Sequence, residues 1–458
     1  MSCVLIYPTA GGTADGQKSR ADPQGSAIFE WKGNVEKLKR NFVAAMLAAL
    51  LLCACAAPVL ASDEPVLPMF RDRKQETVTL TREEYDRLNR YSKLDMLLEL
   101  VEDYYYEDAD VDAMLEGAAI GLMQGLGDVY SVYYTKEEMD SFNEETEGEY
   151  AGIGCQLLAD PTDKLITVTR VFKNSPADKV GIRAGDKIVY VNDVYYSAYE
   201  MDEAVKVMRG TPGEDVKVTV LRDLETIDFD VTREVVNINY VEYEILEGNI
   251  GYVIVYDFLG DSYEGFKEAL ETFEAAQVSG VVLDLRNNGG GLVEDSVAMA
   301  DLILPEGTVV TLREKSGKEY AYTVDGEYYD VPLAVLVNGY SASASEILAG
   351  AIRDTHAGTL VGERTFGKGV VQSVVTFPDG SGMKLTTARY YTPAGECIHE
   401  VGIEPDVEVS LDEDAVTRYG INNLPHEKDA QLQKALSILR GEDVPQDAPQ
   451  EAQAEPAA

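Results

Sequence analysis

Between residues 80 and 145 apolar side chains recur at steps of three and four: Tyr91, Leu94, Leu97, Leu98 and Val101, then Met114, Ala118 and Leu122. That spacing places each set on one helical face and predicts a small helical bundle. From Tyr150 to about Glu234 the period shortens. ITVTRVF (166–172), DKIVYVN (186–192) and VKVTVL (216–221) read as strands. One helix lies between the last two; Met201, Ala204, Val205 and Met208 share its face, and Gly210 and Pro212 end it. From Asn249 onward the apolar runs IGYVIVYDF, GVVLDLR and PLAVLVN alternate with helical stretches, which predicts an α/β layer with a partly parallel sheet. After about Val409 a short helix (430–439) precedes a tail of Pro, Gln, Ala and Glu that is too polar to form a core.

At 458 residues the chain exceeds one compact core, so several domains are expected. Acidic residues number 81 against 39 basic, a formal net charge of −42. Such a field repels phosphate backbones and removes nucleic acid from the expected partners, although solubility alone also accounts for it. Of five cysteines, only Cys155 and Cys397 lie beyond the leader, far apart, so no disulfide scaffold is expected. No Cys/His cluster has metal-ligand spacing, and neither metal nor cofactor is expected. The charged stretch EKLKRN (36–41) precedes the apolar run 42–62, the layout of an export signal. Cleavage after Ala61, retention as a membrane anchor and lipidation at Cys55 all stay open, and each places the protein outside the cytoplasm.

Three segments carry candidate chemistry. In PLAVLVNGYSASASEILAGAIRD (332–354) a buried strand passes through a small-residue turn into an apolar helix, with Ser341, Ser343 and Ser345 at the entry. Serine at a helix start also serves simply as a cap. With only His356, His399 and His426 in the chain, a Ser-His-Asp triad is poorly supplied, which turns attention to Lys368 in ERTFGKGVVQS. As a base it must be neutral, which requires burial to bring its pKa from ~10.4 to ~7 or 8, at a cost of about 4 kcal/mol. An exposed turn is the commoner fate of lysine. Gln372, four residues on, is placed to orient it. GVVLDLRNNGGGL ends a strand in Gly289, Gly290 and Gly291, either a tight turn or a source of amide donors for an oxyanion; it is not a nucleotide-binding loop.

Together LDLRNNGGG (283–291), SASASEILAG (341–350) and TFGKGVVQ (365–372) resemble the carboxyl-terminal processing peptidases, also called tail-specific proteases, over about Leu94 to Val409. The resemblance implies a serine peptidase with Ser343 as nucleophile, Lys368 as general base, Gln372 as its support, and the amides of Gly289 and Ala344 as oxyanion donors. YAGIGCQL (150–157) is similar to the carboxylate-binding loop of a PDZ domain, with Gly152, Ile153 and Gly154 forming the loop. By the same resemblance Arg183 couples that domain to the protease.

The expected fold is multidomain α/β: leader 1–62, helical region 75–149, inserted PDZ domain 150–234 (β-rich with two helices), protease core 235–411 of the crotonase/ClpP-like kind, and a C-terminal helix and tail 412–458. The expected partner is a protein or peptide with a free C-terminus, with membrane association through the N-terminal segment and possible homodimer formation. A PDZ binding protein with an inactive core, and a crotonase-like acyl-CoA enzyme, are the rival readings.

Overall fold

The computed structural model describes residues 79–442; the leader lies outside the described residues. Two compact units meet in sequence at Ala109 and Asp110. The first contains α1 (Arg82–Arg90) and α2 (Ser92–Tyr104). Thr81 and Glu84 cap α1 reciprocally, Glu84 N donating to Thr81 Oγ1 at 3.2 Å and Thr81 N to Glu84 Oε2 at 2.8 Å. The helices are where the spacing predicts them, but neither buries a residue, and Tyr91, Leu94 and Leu97 stay exposed.

The second unit opens with α3 (Val111–Gln124), β1 (Val132–Tyr134) and α4 (Lys136–Glu147). A middle domain follows: β2 (Glu149–Gly152), β3 (Cys155–Ala159), β4 (Ile166–Val171), α5 (Pro176–Val180), β5 (Lys187–Val191), β6 (Val194–Tyr195), α6 (Met201–Met208), β7 (Asp215–Arg222), β8 (Glu225–Thr232) and β9 (Glu234–Asn237). Its antiparallel sheet runs β3-β4-β5-β7-β8, with β6 beside β5 and β3 at an edge. Ile166, Val168, Val216, Val218 and Val220 form the core with Met201, Ala204 and Met208 of α6. Entry and exit of the domain are zipped together, because β2 and β9 pair antiparallel from Glu149↔Asn237 to Gly152↔Glu234.

The remaining elements are β10 (Val241–Leu246), β11 (Ile250–Val255), α7 (Ser262–Ala276), β12 (Gly280–Asp284), α8 (Val293–Asp301), β13 (Gly307–Glu314), β14 (Glu319–Val324), β15 (Leu333–Val337), α9 (Ala344–Thr355), β16 (Thr359–Gly362), β17 (Val370–Thr376), β18 (Gly382–Tyr391), β19 (Val407–Glu408), α10 (Glu413–Tyr419) and α11 (Ala430–Leu439). The central sheet has the order β10-β11-β12-β15-β16-β19, parallel from β11 onward. Every residue of β12 and β15 is buried, which is why these strands read as unbroken apolar runs. Alternate side chains face two cores. Leu283, Val335 and Val337 pack with Phe266, Met299 and Leu348 of α7, α8 and α9; Val282, Ala334 and Leu336 pack with Leu432, Ala435 and Leu436 of α11.

The helix at 430–439 thus forms part of the core, covering the second face of the sheet. A second sheet, β1-β18-β13-β14 with β17 on β18, brings the segment before the middle domain against the end of the core. Leu432→Ala is expected to destabilise the protein by about 2–5 kcal/mol, the usual cost of a buried leucine, read as a lowered midpoint in urea. An unchanged midpoint would show that α11 does not support the sheet.

Candidate active site

Strand β15 ends in the turn that carries the three serines, and the structure separates their roles. Ser341 Oγ donates to Leu285 O at 2.8 Å and accepts from Asn338 N at 2.9 Å; Ser345 Oγ donates to Asn288 O at 2.9 Å. Both are fully buried and committed to holding backbone. Ser343 alone is partly exposed, at φ 58° and ψ −114°, immediately before α9. Non-glycine residues adopt such a conformation at a cost of about 1–3 kcal/mol, sustained only where surroundings enforce it.

The glycine loop after β12 is fastened against this turn. Asn288 O accepts from Ala342 N at 3.0 Å as well as from Ser345, while the Asn288 side chain donates to Val255 O at 2.7 Å and accepts from Gly290 N at 2.8 Å. Gly290 has φ 113°, and a Cβ there would stand 2.7 Å from Ser343 Cβ. The approach needs glycine. Among the described residues neither Gly289 N nor Ala344 N has a hydrogen-bond partner, and Ala344 N opens a helix whose dipole favours negative charge. Both amides are thus available to an oxyanion.

Lys368 lies on the turn between β16 and β17. Gly367 requires its φ of 90° and its lack of a side chain, since a Cβ would stand 2.8 Å from Gly402 N. Lys368 Nζ stands 5.0 Å from the centroid of the Tyr130 ring. Burial, assisted by the charge of Lys384 and opposed by Glu346 and Asp128, lowers the lysine to about 8. That is the range a general base needs near neutrality.

Glu346 joins the two turns. Fully buried on the first turn of α9, its Oε2 accepts Ser343 N at 2.9 Å and Lys368 N at 2.8 Å, and its Oε1 accepts Thr365 Oγ1 at 2.6 Å and Gly367 N at 2.7 Å. Burial raises its pKa, and these four donors oppose the rise. Tyr390 Oη adds a bond to Ser343 O at 3.1 Å. Glu346 escapes a reading by sequence, where it is one polar residue in an apolar helix; its only signal is its place three residues after Ser343.

A second missed group is the buried Arg286, whose guanidinium donates to Asp284 Oδ2 at 2.6 Å, Asp429 Oδ2 at 2.8 Å and Gln431 Oε1 at 3.1 Å; Tyr252 Oη also reaches Asp284, at 2.8 Å. It ties the root of the glycine loop to the start of α11. Its signal is a charged pair two residues apart at the end of an apolar strand.

The structure thus brings Ser343, Ala344, Gly289 and the Lys368 turn together. Gln372, on β17, donates to Thr386 Oγ1 at 3.2 Å. Gly152, Ile153 and Gly154 form a separate loop leading into edge strand β3. Arg183 belongs to neither set: it is exposed on the β4–β5 connection, its amide donating to Asp186 Oδ2 at 2.9 Å.

Residues 249–409 match peptidase family S41, residues 167–222 a PDZ domain, and residues 61–138 the N-terminal domain of the activating protease CtpB. A probable CtpA-like serine protease of Staphylococcus aureus (strain COL) is 36% identical over 358 residues, spanning 77% of this chain and 70% of the relative. One of Staphylococcus epidermidis is 35% identical over 322 residues, 69% of this chain and 65% of the relative. Among solved structures, the photosystem II D1 C-terminal processing protease aligns with a TM-score of 0.47 at 30% identity, covering 76% of this chain and 99% of that one.

Two predictions follow from the geometry. Glu346→Gln places an NH2 group against a pair of donors, and kcat is expected to fall at least about 100-fold from misplaced turns; unchanged kcat would remove Glu346 from the support of the site. Tyr130→Ala admits water to Lys368, so the rising limb of the kcat/KM profile should move from about 8 toward the ordinary lysine value, while Tyr130→Phe leaves it in place. Superimposable profiles for all three proteins would show that Tyr130 does not shield Lys368.

Proposed function

The chain belongs to peptidase family S41 as a carboxyl-terminal processing serine protease with a PDZ domain, and on that premise we propose that it cleaves through a Ser343–Lys368 dyad. Neutral Lys368 takes the proton of Ser343 Oγ as the oxygen attacks the substrate carbonyl. The amides of Gly289 and Ala344 receive the oxyanion. The lysine ammonium then protonates the leaving amine, and water, deprotonated by the neutral lysine, releases the acyl-enzyme. The observation that carries this reading is Glu346 Oε2, which accepts the backbone amides of nucleophile and base together.

In this reading the PDZ domain presents the substrate. A peptide C-terminus enters the loop at Gly152, Ile153 and Gly154 and extends as an added strand along the free edge of β3, with α6 as the opposite wall. Gln372 supports the base indirectly by holding β17 to β18 through Thr386. The charged-then-apolar layout of residues 36–62 supports export, so the enzyme works outside the cytoplasm.

Ser343→Ala and Lys368→Ala should each abolish cleavage of an unstructured peptide with a free C-terminus, followed by mass spectrometry, while circular dichroism shows retained structure. Wild-type turnover in either variant would refute the dyad.

A further inference from the structure

In the reading above Lys368 protonates the leaving amine, so the fragment on the C-terminal side of the cut must depart past its Nζ. A cavity of about 650 Å³ lies on that side. Tyr130, whose ring centroid is 5.0 Å from Nζ, lines it, as does Val370, two residues after the lysine. The cavity is a notch in the second sheet. On one edge of β18, β1 pairs with Gly382 to Lys384 and β13 with Ala388 to Tyr391, so Leu385, Thr386 and Thr387 have no strand beside them on that edge. Thr386 and Thr387 line the notch.

Three exposed cations, Arg313, Lys315 and Arg389, stand at the β13 end of the notch. Arg313 and Arg389 are directly opposite each other on β13 and β18, a like-charge cross-strand pair that costs stability. On its other side Arg313 has a carboxylate, Glu319 Oε1 at 2.6 Å. Among the described residues Lys315 and Arg389 have none, in a chain whose 81 acidic residues outnumber its 39 basic ones. Composition alone would leave such a cluster neutralised. Three carboxylates line the same cavity. Asp128 accepts Tyr130 N at 3.0 Å and Ser131 Oγ at 2.5 Å, and the amide of Glu400 donates to Gly367 O at 2.7 Å, so both belong to the Lys368 end; Glu314 accepts Ser316 Oγ at 3.2 Å. The notch is therefore acidic beside Lys368 and cationic at Arg389.

We propose that Arg389, with Lys315, binds the terminal carboxylate of the leaving fragment when the tail being removed is short. A protease that processes carboxyl termini releases a fragment ending in a free carboxylate, and this fragment is the one that lies against Lys368. Val370 is the cross-strand partner of Arg389, which places the two backbones of Lys368 and Arg389 within ~12 Å, a span of about three extended residues. A carboxylate at that distance supplies the counter-charge that Arg389 and Lys315 lack, offsets the repulsion between Arg389 and Arg313, and suits the two-pronged geometry of a guanidinium. An amidated end brings no charge and gains none of this. The site and the PDZ loop serve different substrates: a tail long enough to reach the PDZ loop carries its terminus there, and one too short to do so ends at Arg389.

The proposal rests on the dyad reading, and the test separates the two. Quenched fluorescent peptides that end three residues after the cut, as the free acid and as the amide, are compared by kcat/KM, with the cut located by mass spectrometry. The parent should favour the acid about fivefold, the upper worth of an exposed ion pair, with the difference carried in KM. Arg389→Gln should bring the acid-to-amide ratio to about one, Arg389→Glu should favour the amide, and Arg389→Lys should retain the preference. With ten further residues in the tail the terminus passes beyond Arg389, and parent and Arg389→Gln should give the same ratio. A short-tail ratio unchanged in Arg389→Gln overturns the proposal, as does a ratio lost equally in Arg389→Lys, since the charge would then not be what acts. An amide ending in glutamate that is cut as well as the free acid overturns recognition of the terminus in favour of an acidic side chain. Lys368→Ala is assayed in parallel: if it keeps turnover, the dyad fails and the proposal with it, whereas a dead Lys368→Ala beside an unchanged Arg389→Gln ratio removes the proposal alone.

Discussion

A single buried carboxylate organises this enzyme. Glu346 receives four hydrogen bonds inside the core, from two segments that meet only in the folded protein. Burying such a group is costly unless its acceptor capacity is filled, and filling it is what holds the Ser343 and Lys368 turns in register. The unusual backbone of Ser343 is sustained by the same bonds. Ser343 and Lys368 are therefore positioned through their backbone amides, which leaves both side chains out of the bonds that hold the turns.

The Arg286 cluster does for the glycine loop what Glu346 does for the Ser343 and Lys368 turns. Its partners come from the end of β12 and the start of α11, so the glycine-loop side of the site is braced by the helix that covers the far face of the sheet. Removing one partner of such a buried set strands the others without compensation, which makes the cluster an all-or-none support. The PDZ domain is attached through the short β2–β9 ribbon, and Arg209 adds a second tie to α4.

Much of the fold was legible because its period was legible. The buried runs at β11, β12 and β15 and the apolar face of α6 all announce themselves locally. What failed was the inference from element to neighbour. The helix at 430–439 looks peripheral in sequence because strands buried on both sides do not reveal which helix covers which face. In the site, Ser343 and Lys368 were each ambiguous alone, since capping serines and exposed lysines are common; family order made them a pair. Glu346 and Arg286 stayed hidden because their meaning lies entirely in distant partners, and the bond of Gln372 to Thr386 needs the pairing of β17 with β18 to be seen.

The strand that follows Tyr130 and brings its ring beside Lys368 comes from before the PDZ domain and pairs with one near the end of the core. Thr386 N donates to Ser131 Oγ across 255 residues of chain. Closing so long a loop is among the slower events in folding, and it cannot happen before β18 exists. Until then the lysine lacks its aromatic cover and keeps the charge that water confers. A partly folded chain thus holds Lys368 without the surroundings that lower its pKa.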